Sequence, residues 1–175
     1  MVLKRHLILI EGILVNKREL PRFSSIREEK LVTKDEIANL LESMLDKELG
    51  DLDSPSANDW VKIEKKFGCQ FPKEFKYFIE LMSEYVFPGE ILNVSSGKTN
   101  GNATIEFTYD YEMKEGFWKN ELIPFYSIGN GDYFCLHSKE CHQTGVYYYF
   151  HEEHGVTKEA DNFEDWLNQL PTYLN

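Results

Sequence analysis

The stretch from Trp60 to Tyr85 constrains what this chain can fold into more than any other. It reads as helix, stop, helix. Trp60, Ile63 and Phe67 recur at helical spacing and lay down one apolar stripe. Gly68 follows directly. Without a Cβ it takes the left-handed conformation at little cost, which predicts the end of the first helix there. Pro72 predicts the first turn of a second helix, because its fixed φ suits a helix start and its missing N–H is not needed. Phe75, Phe78, Ile79 and Met82 continue the stripe. An angled helix pair with an aromatic seam results, and Trp60, Phe67, Phe71, Phe75 and Phe78 are expected to share one core.

The flanking segments supply the rest of the architecture. Leu7 to Val15 reads as a buried strand, or a strand pair bent at Glu11-Gly12. Residues 16–33 are polar and read as a connector. Thr33 with Glu36 is a capping-box pattern. Ile37, Leu40, Leu41, Met44 and Leu45 then predict a helix with one buried face, ended by Gly50. Ser56 or Asn58 is the expected cap of the helix at Trp60. Beyond Tyr85 the period changes. Glu90–Val94 reads as a short strand, 95–102 as a loop, and Ala103–Tyr109 alternates as a half-exposed strand does, so the two are expected to form a hairpin. Leu122–Ile128 and Tyr133–Leu136 flank the turn signal Gly129-Asn130-Gly131-Asp132. Val146–Phe150 suggests an interior strand, and Asn162 caps a last helix that buries Phe163, Trp166, Leu167 and Leu170. The order predicts an α+β fold: a mostly antiparallel sheet covered on one face by N-terminal helices and a C-terminal helix.

Four ordered segments carry a family resemblance. An amphipathic helix with Glu64 near its end, then F-G-x-x-F-P-x-x-F-x-x-F, resembles the signature of the SUKH superfamily, which includes Smi/Knr fungal cell-wall regulators and many bacterial immunity proteins. That pattern usually has Leu before the proline, where Phe71 stands here. I-P-F-Y-S-I-G-N-G-D-Y-F-C-L (123–136), G-V-Y-Y-Y-F-H-E-E (145–153) and N-F-E-D-W-L-N-Q-L (162–170) resemble the family's later strands and closing helix. The likeness is strongest over residues 56–170. It implies a SUKH-like domain over 34–175; the basic strand and connector (1–33) before it is expected, from its charge, to pack on that domain. It also implies that Trp60, Glu64, Phe67, Gly68, Phe71, Pro72, Phe75, Gly129, Gly131, Asp132, Val146 and Phe163 are residues of the fold. The glycines of the second motif permit a turn, and the aspartate is expected to bond backbone amides.

Charge limits function. The chain has 175 residues and a net charge of −11. That disfavours nucleic acid, whose phosphates need a surplus of Lys and Arg, and equally an anionic membrane surface. It favours a basic partner. Residues 1–34 are net positive by 4, so the remainder is net negative by 15. This split predicts a basic arm docked on its own acidic domain, or, less simply, two binding faces. Three cysteines, Cys69, Cys135 and Cys141, do not make a disulfide framework and point to a reducing cytoplasm. Glu11 breaks the first apolar run, so no secretory signal is expected, and no run approaches the ~20 apolar residues that span a bilayer.

Few residues suggest chemistry. Cys135, His137, Cys141, His142, His151 and His154 are zinc-ligand types that strand pairing could gather, but C-x-H-x3-C-H is no established zinc spacing; no metal or cofactor is expected. Neither a G-x-S-x-G elbow nor a Walker A loop is present, and the 30 acidic residues make any carboxylate pair uninformative. Two acidic clusters are more telling. Glu152 and Glu153 leave the aromatic strand, with Glu159, Asp161, Glu164 and Asp165 soon after. Asp110, Glu112 and Glu115 interleave with Tyr109, Tyr111, Phe117 and Trp118. Acid beside exposed aromatic suits an interface for a basic protein, by steering and by anchoring. The partner-binding expectation therefore falls on Glu152, Glu153, Asp161 and Glu164, and on Asp110, Glu112, Glu115 and Trp118. With the resemblance, the expected function is a non-enzymatic immunity protein that neutralises a basic toxin, a nuclease. A regulatory scaffold of cell-wall synthesis is the alternative, and a Cys/His metal-dependent hydrolase comes third.

Overall fold

The computed structural model describes residues 7–10 and 13–16 as backbone, and 33–47, 53–95, 97 and 101–174 in full apart from the side chain of Cys141. The chain divides into two units, residues 1–31 and 32–175. In the first, β1 (Leu7–Ile10) and β2 (Ile13–Asn16) pair antiparallel, with Ile10 opposite Ile13. This is the bent strand pair of the two readings. The connector over 16–33 and the docking of the basic arm fall on residues outside those described.

The second unit begins with three helices. α1 (Lys34–Glu42) is capped by Thr33, whose hydroxyl accepts from the Glu36 N–H while the Glu36 carboxylate accepts from the Thr33 N–H. It buries Ile37 and Leu41 but stops at Glu42, with Ser43 as its C-cap, well short of Gly50; the Ser43 hydroxyl donates back to the Leu40 carbonyl. Met44 and Leu45 still pack on the core from beyond the helix end, so the apolar period outlasts the helix. α2 (Ala57–Phe67) has Ser56 and Asp59 as its capping box and ends on Gly68 at φ 62°. α3 (Lys73–Leu81) starts one residue later than expected. Pro72 is its N-cap, not a first-turn residue.

A five-stranded sheet follows in the order β3-β4-β5-β6-β7, antiparallel throughout. The strands are β3 (Glu90–Ile91), β4 (Leu122–Ser127), β5 (Tyr133–His137), β6 (Val146–Phe150) and β7 (Gly155–Ala160). The 90–94 strand is cut to two residues. β7, with little apolar alternation, gives no strand signal in the sequence. It is held by pairing along the whole of β6, which makes β6 an interior strand. The ladder between β4 and β5 shifts register after Pro124, which has no N–H to give it.

The largest departure is Ala103–Tyr109. It forms no hairpin strand. Thr104 instead caps a helix, α4 (Ile105–Glu115), and only a single bridge joins Asn93 to Thr104. Ile105, Thr108, Tyr109 and Glu112 lie at helical offsets, and they form the inward stripe of α4. α5 (Phe163–Tyr173) closes the chain behind its Asn162 cap.

Alternate strand residues go to opposite faces, and both faces are covered in part. Phe134 and Leu136 of β5 join the main core with α1, α2, α3 and α5. Tyr133 and Cys135 join a smaller cluster with Trp118, Leu122 and Tyr149, which Tyr109 of α4 packs against. The sheet is therefore not covered on one face only. Phe75 and Phe78 lie fully buried at the centre of the main core. Phe75 meets the rings of Trp60, Phe71, Phe125 and Phe163 at 5.2–6.1 Å, in mostly edge-on geometry. Phe67 is half-buried at the edge of that core and also meets Tyr109 of α4. Among the described residues no helix is long and apolar enough to cross a membrane.

Candidate functional site

α4 builds the site. The Thr104 hydroxyl accepts from the Phe107 N–H at 3.2 Å and starts the helix. Its inner side is satisfied: the Tyr109 hydroxyl donates to the Asn120 carbonyl and the Tyr133 hydroxyl donates to Glu112 at 2.8 Å. Burial and the Glu112 carboxylate together push the Tyr133 hydroxyl pKa well up. Its outer side is not buried. Phe107 and Tyr111, one turn apart, are 47% and 53% exposed, and their rings stack at 6.4 Å. Glu115 continues that line one turn further and is exposed. Gly116 at φ 87° ends the helix.

The next two residues part company. Phe117 is 63% exposed and lies flat on the His154 ring, with centroids 4.2 Å apart and planes within 2°. Trp118 turns inward to 7% exposure, donates its indole N–H to the Leu122 carbonyl and packs on Tyr133 and Tyr149. The sequence pairs these two aromatics, but the structure makes one surface and the other core.

His154 lies in the turn between β6 and β7. It is the one non-glycine residue with positive φ among those described, at 50°, and its Nδ1 lies 3.2 Å from the Tyr149 hydroxyl. The same turn exposes Glu152 and Glu153. The Phe117–His154 stack thus joins the end of α4, with Glu115, to a turn carrying two further carboxylates. An acidic and aromatic end of the sheet results.

The other expected acids do not join it. Asp161 and Glu164 sit past the far end of β7, six residues or about 20 Å along the strand. Asp161 pairs with Lys158 at 3.1 Å, and Glu164 is half-buried in the first turn of α5. Asp165 beside it accepts from the Asn162 side chain. Asp110 is held by Lys66 at 2.7 Å, a lysine it shares with Glu106. Glu112 is turned inward to Tyr133. Of the eight expected partner-binding residues, Glu115, Glu152 and Glu153 share the exposed end. Tyr111 and Phe117, grouped with these acids in the sequence reading, are surface aromatics, and Phe107 is one that the reading passed over. The Thr104 cap and the four-residue spacing of Phe107 and Tyr111 were the available signal.

The turns beneath this end are tightly bonded. Gly129 and Gly131 have φ near +90°. A Cβ on Gly131 would stand 2.8 Å from the His151 ring. Asp132 accepts from the His151 N–H at 2.7 Å, the Tyr148 hydroxyl at 2.9 Å and the Asn130 amide at 3.0 Å. Burial raises its pKa, but these donors outweigh it and hold the carboxyl below its ordinary value. Glu64 plays the same part at the helix pair. It accepts from the Phe71 N–H at 3.1 Å and pairs with Lys76 at 2.6 Å, tying α2 to the start of α3.

Of the cysteine and histidine set, His151 and His154 are neighbours in one turn, their ring centroids 6.2 Å apart. Cys135 is fully buried, and burial pushes its thiol pKa well up, with Glu112 adding to the effect. That disfavours the thiolate a zinc site requires. His137 lies on the same strand two residues on, where its Nδ1 accepts from the Lys139 N–H. His142 is exposed in a single 3-10 turn. Among the described residues no group of three metal-ligating side chains forms.

A family model described as SMI1-KNR4 cell-wall, one of the SUKH set, matches residues 35–173. The chain belongs to the SUKH family. No curated protein matches it. The match begins after the basic segment and covers every element from α1 to α5. Within this SUKH domain Trp60, Phe71, Phe75, Val146 and Phe163 lie in the main core, and Gly68 and Pro72 define the joint between α2 and α3.

Proposed function

We propose that this SUKH protein is an immunity protein. It binds a basic toxin, a nuclease, and covers the positive groove that holds the toxin's substrate. SUKH proteins are generally non-enzymatic and include immunity proteins and Smi/Knr-like regulators. The observation that carries the reading is the acidic and aromatic end. Glu115 stands two residues before Phe117, and Glu152 and Glu153 share the His154 turn, so the exposed Phe117–His154 stack joins the two, with Tyr111 and Phe107 along the adjoining helix. Carboxylates attract a basic surface at long range and exposed rings anchor it at contact. A net charge of −11 adds to steering. The buried thiols of Cys69 and Cys135 support a cytoplasmic location.

The test is inhibition. A toxin gene immediately adjacent favours immunity and an isolated gene favours the scaffold; where the adjacent frame encodes a toxin domain, the chain is titrated into a cleavage assay of it. Loss of cleavage at one equivalent supports the reading. Full cleavage at excess chain refutes it and leaves the scaffold reading, which the family's cell-wall description favours.

A further inference from the structure

Most α-helices on a domain surface turn their rings inward, but α4 turns two of them out. Phe107 and Tyr111 lie one turn apart, stack on each other and remain about half exposed. Their positions need no such exposure for folding, because Ile105, Thr108, Tyr109 and Glu112 already make the inner contacts. Large rings at i and i+4 are the spacing with which a helix enters an apolar groove. Carboxylates outnumber cations along the ridge: Glu106 and Asp110 lie on one flank and Glu115 at its end, with Lys114 beside it in the last turn. Lys66 answers the first two, and Glu115 stands exposed one turn beyond Tyr111.

We propose that the Phe107–Tyr111 ridge enters an apolar cleft on the partner whose rim carries lysine and arginine. This rests on the reading above that the partner is basic. Charge decides the occupant. A second copy of this chain would set Glu106, Asp110 and Glu115 near their own counterparts on a molecule of net charge −11. A cationic rim meets them with opposite charge while the cleft floor takes the rings.

The probe is an amphipathic helical peptide of about five turns, with a leucine stripe bordered by lysines. Controls carry glutamate in place of lysine, or serine in place of leucine. Binding is followed by fluorescence anisotropy with the full chain and with F107A/Y111A, whose fold is checked by circular dichroism. The proposal expects the leucine–lysine peptide to bind, both controls to fail, and the double variant to lose about tenfold or more in affinity. Equal binding by the variant, or by the serine–lysine control, overturns it, since charge alone would then explain the contact. A wild-type dimer in sedimentation that F107A/Y111A dissociates also overturns it and assigns the ridge to a second copy. In the toxin assay the two levels separate. A ridge variant that neutralises at wild-type potency sinks the ridge alone, whereas a wild-type chain that does not neutralise sinks the immunity reading.

Discussion

Asp132 follows a two-glycine turn and gathers three donors from three different residues, one of them the backbone of a neighbouring turn. Its pKa is held below that of an unfolded aspartate, so it contributes stability at pH above about 3.9. That contribution is lost as pH falls through the lower folded value. An acid titration of unfolding free energy should therefore show wild type losing more stability below pH ~4 than Asp132→Asn. At neutral pH Asp132→Asn should cost about 1–3 kcal/mol, because an amide cannot accept from all three donors. At Gly68 the argument is purely conformational. Its φ is 62° and a Cβ added there would meet nothing within 4 Å, so no clash competes. Gly68→Val should cost about 1–2 kcal/mol in denaturant unfolding. Phe75→Ala removes a ring with no solvent exposure from the centre of the main core and should cost about 3–5 kcal/mol. Gly68 and Phe75 were legible in the sequence because each depends on local geometry or on one strong period; Asp132 was expected to bond backbone amides, but two of its three donors are side chains, and Tyr148 and His151 come from a distant strand and turn.

Elements were legible where a single period and a cap agreed, and not where the apolar period pointed to the wrong element or was missing. α2 had Ser56, an apolar stripe and Gly68, and α5 had Asn162 before its rings. Ala103–Tyr109 satisfies alternation through Ala103, Ile105, Phe107 and Tyr109, and it is rich in β-branched and aromatic residues. Its helical period is weak, since Thr108 and Glu112 stand inward while Phe107 and Tyr111 face out. Tertiary contact decides: the helix brings Glu112 to Tyr133 and Tyr109 to the Asn120 carbonyl, which a strand would not. β7 was invisible for the opposite reason, having no apolar period of its own. The helix makes a prediction. Thr104→Ala removes an N-cap and should cost about 0.5–2 kcal/mol in thermal or denaturant unfolding. A change within the small range of ordinary surface substitutions would contradict the capped helix.

At the scale of the molecule, the acidic character of the chain after residue 34 was plain in the sequence, but its grouping was not. Acids close in sequence, Glu153 and Asp161, end at opposite ends of β7. Acids far apart, Glu115 and Glu153, share an end because Phe117 lies on His154. No linear reading yields that, since it depends on α4 packing on the second face of the sheet. The regrouping supplies the most direct test of the account. The association rate of the toxin domain is measured by stopped flow across a range of salt for two charge-neutralised variants of unchanged shape. One carries Glu115→Gln, Glu152→Gln and Glu153→Gln; the other carries Asp161→Asn and Glu164→Gln. If the acidic and aromatic end receives the partner, the first variant should associate more slowly with a flatter salt dependence, and the second should match wild type. Wild-type association by the first variant, or equal loss by both, would contradict the account.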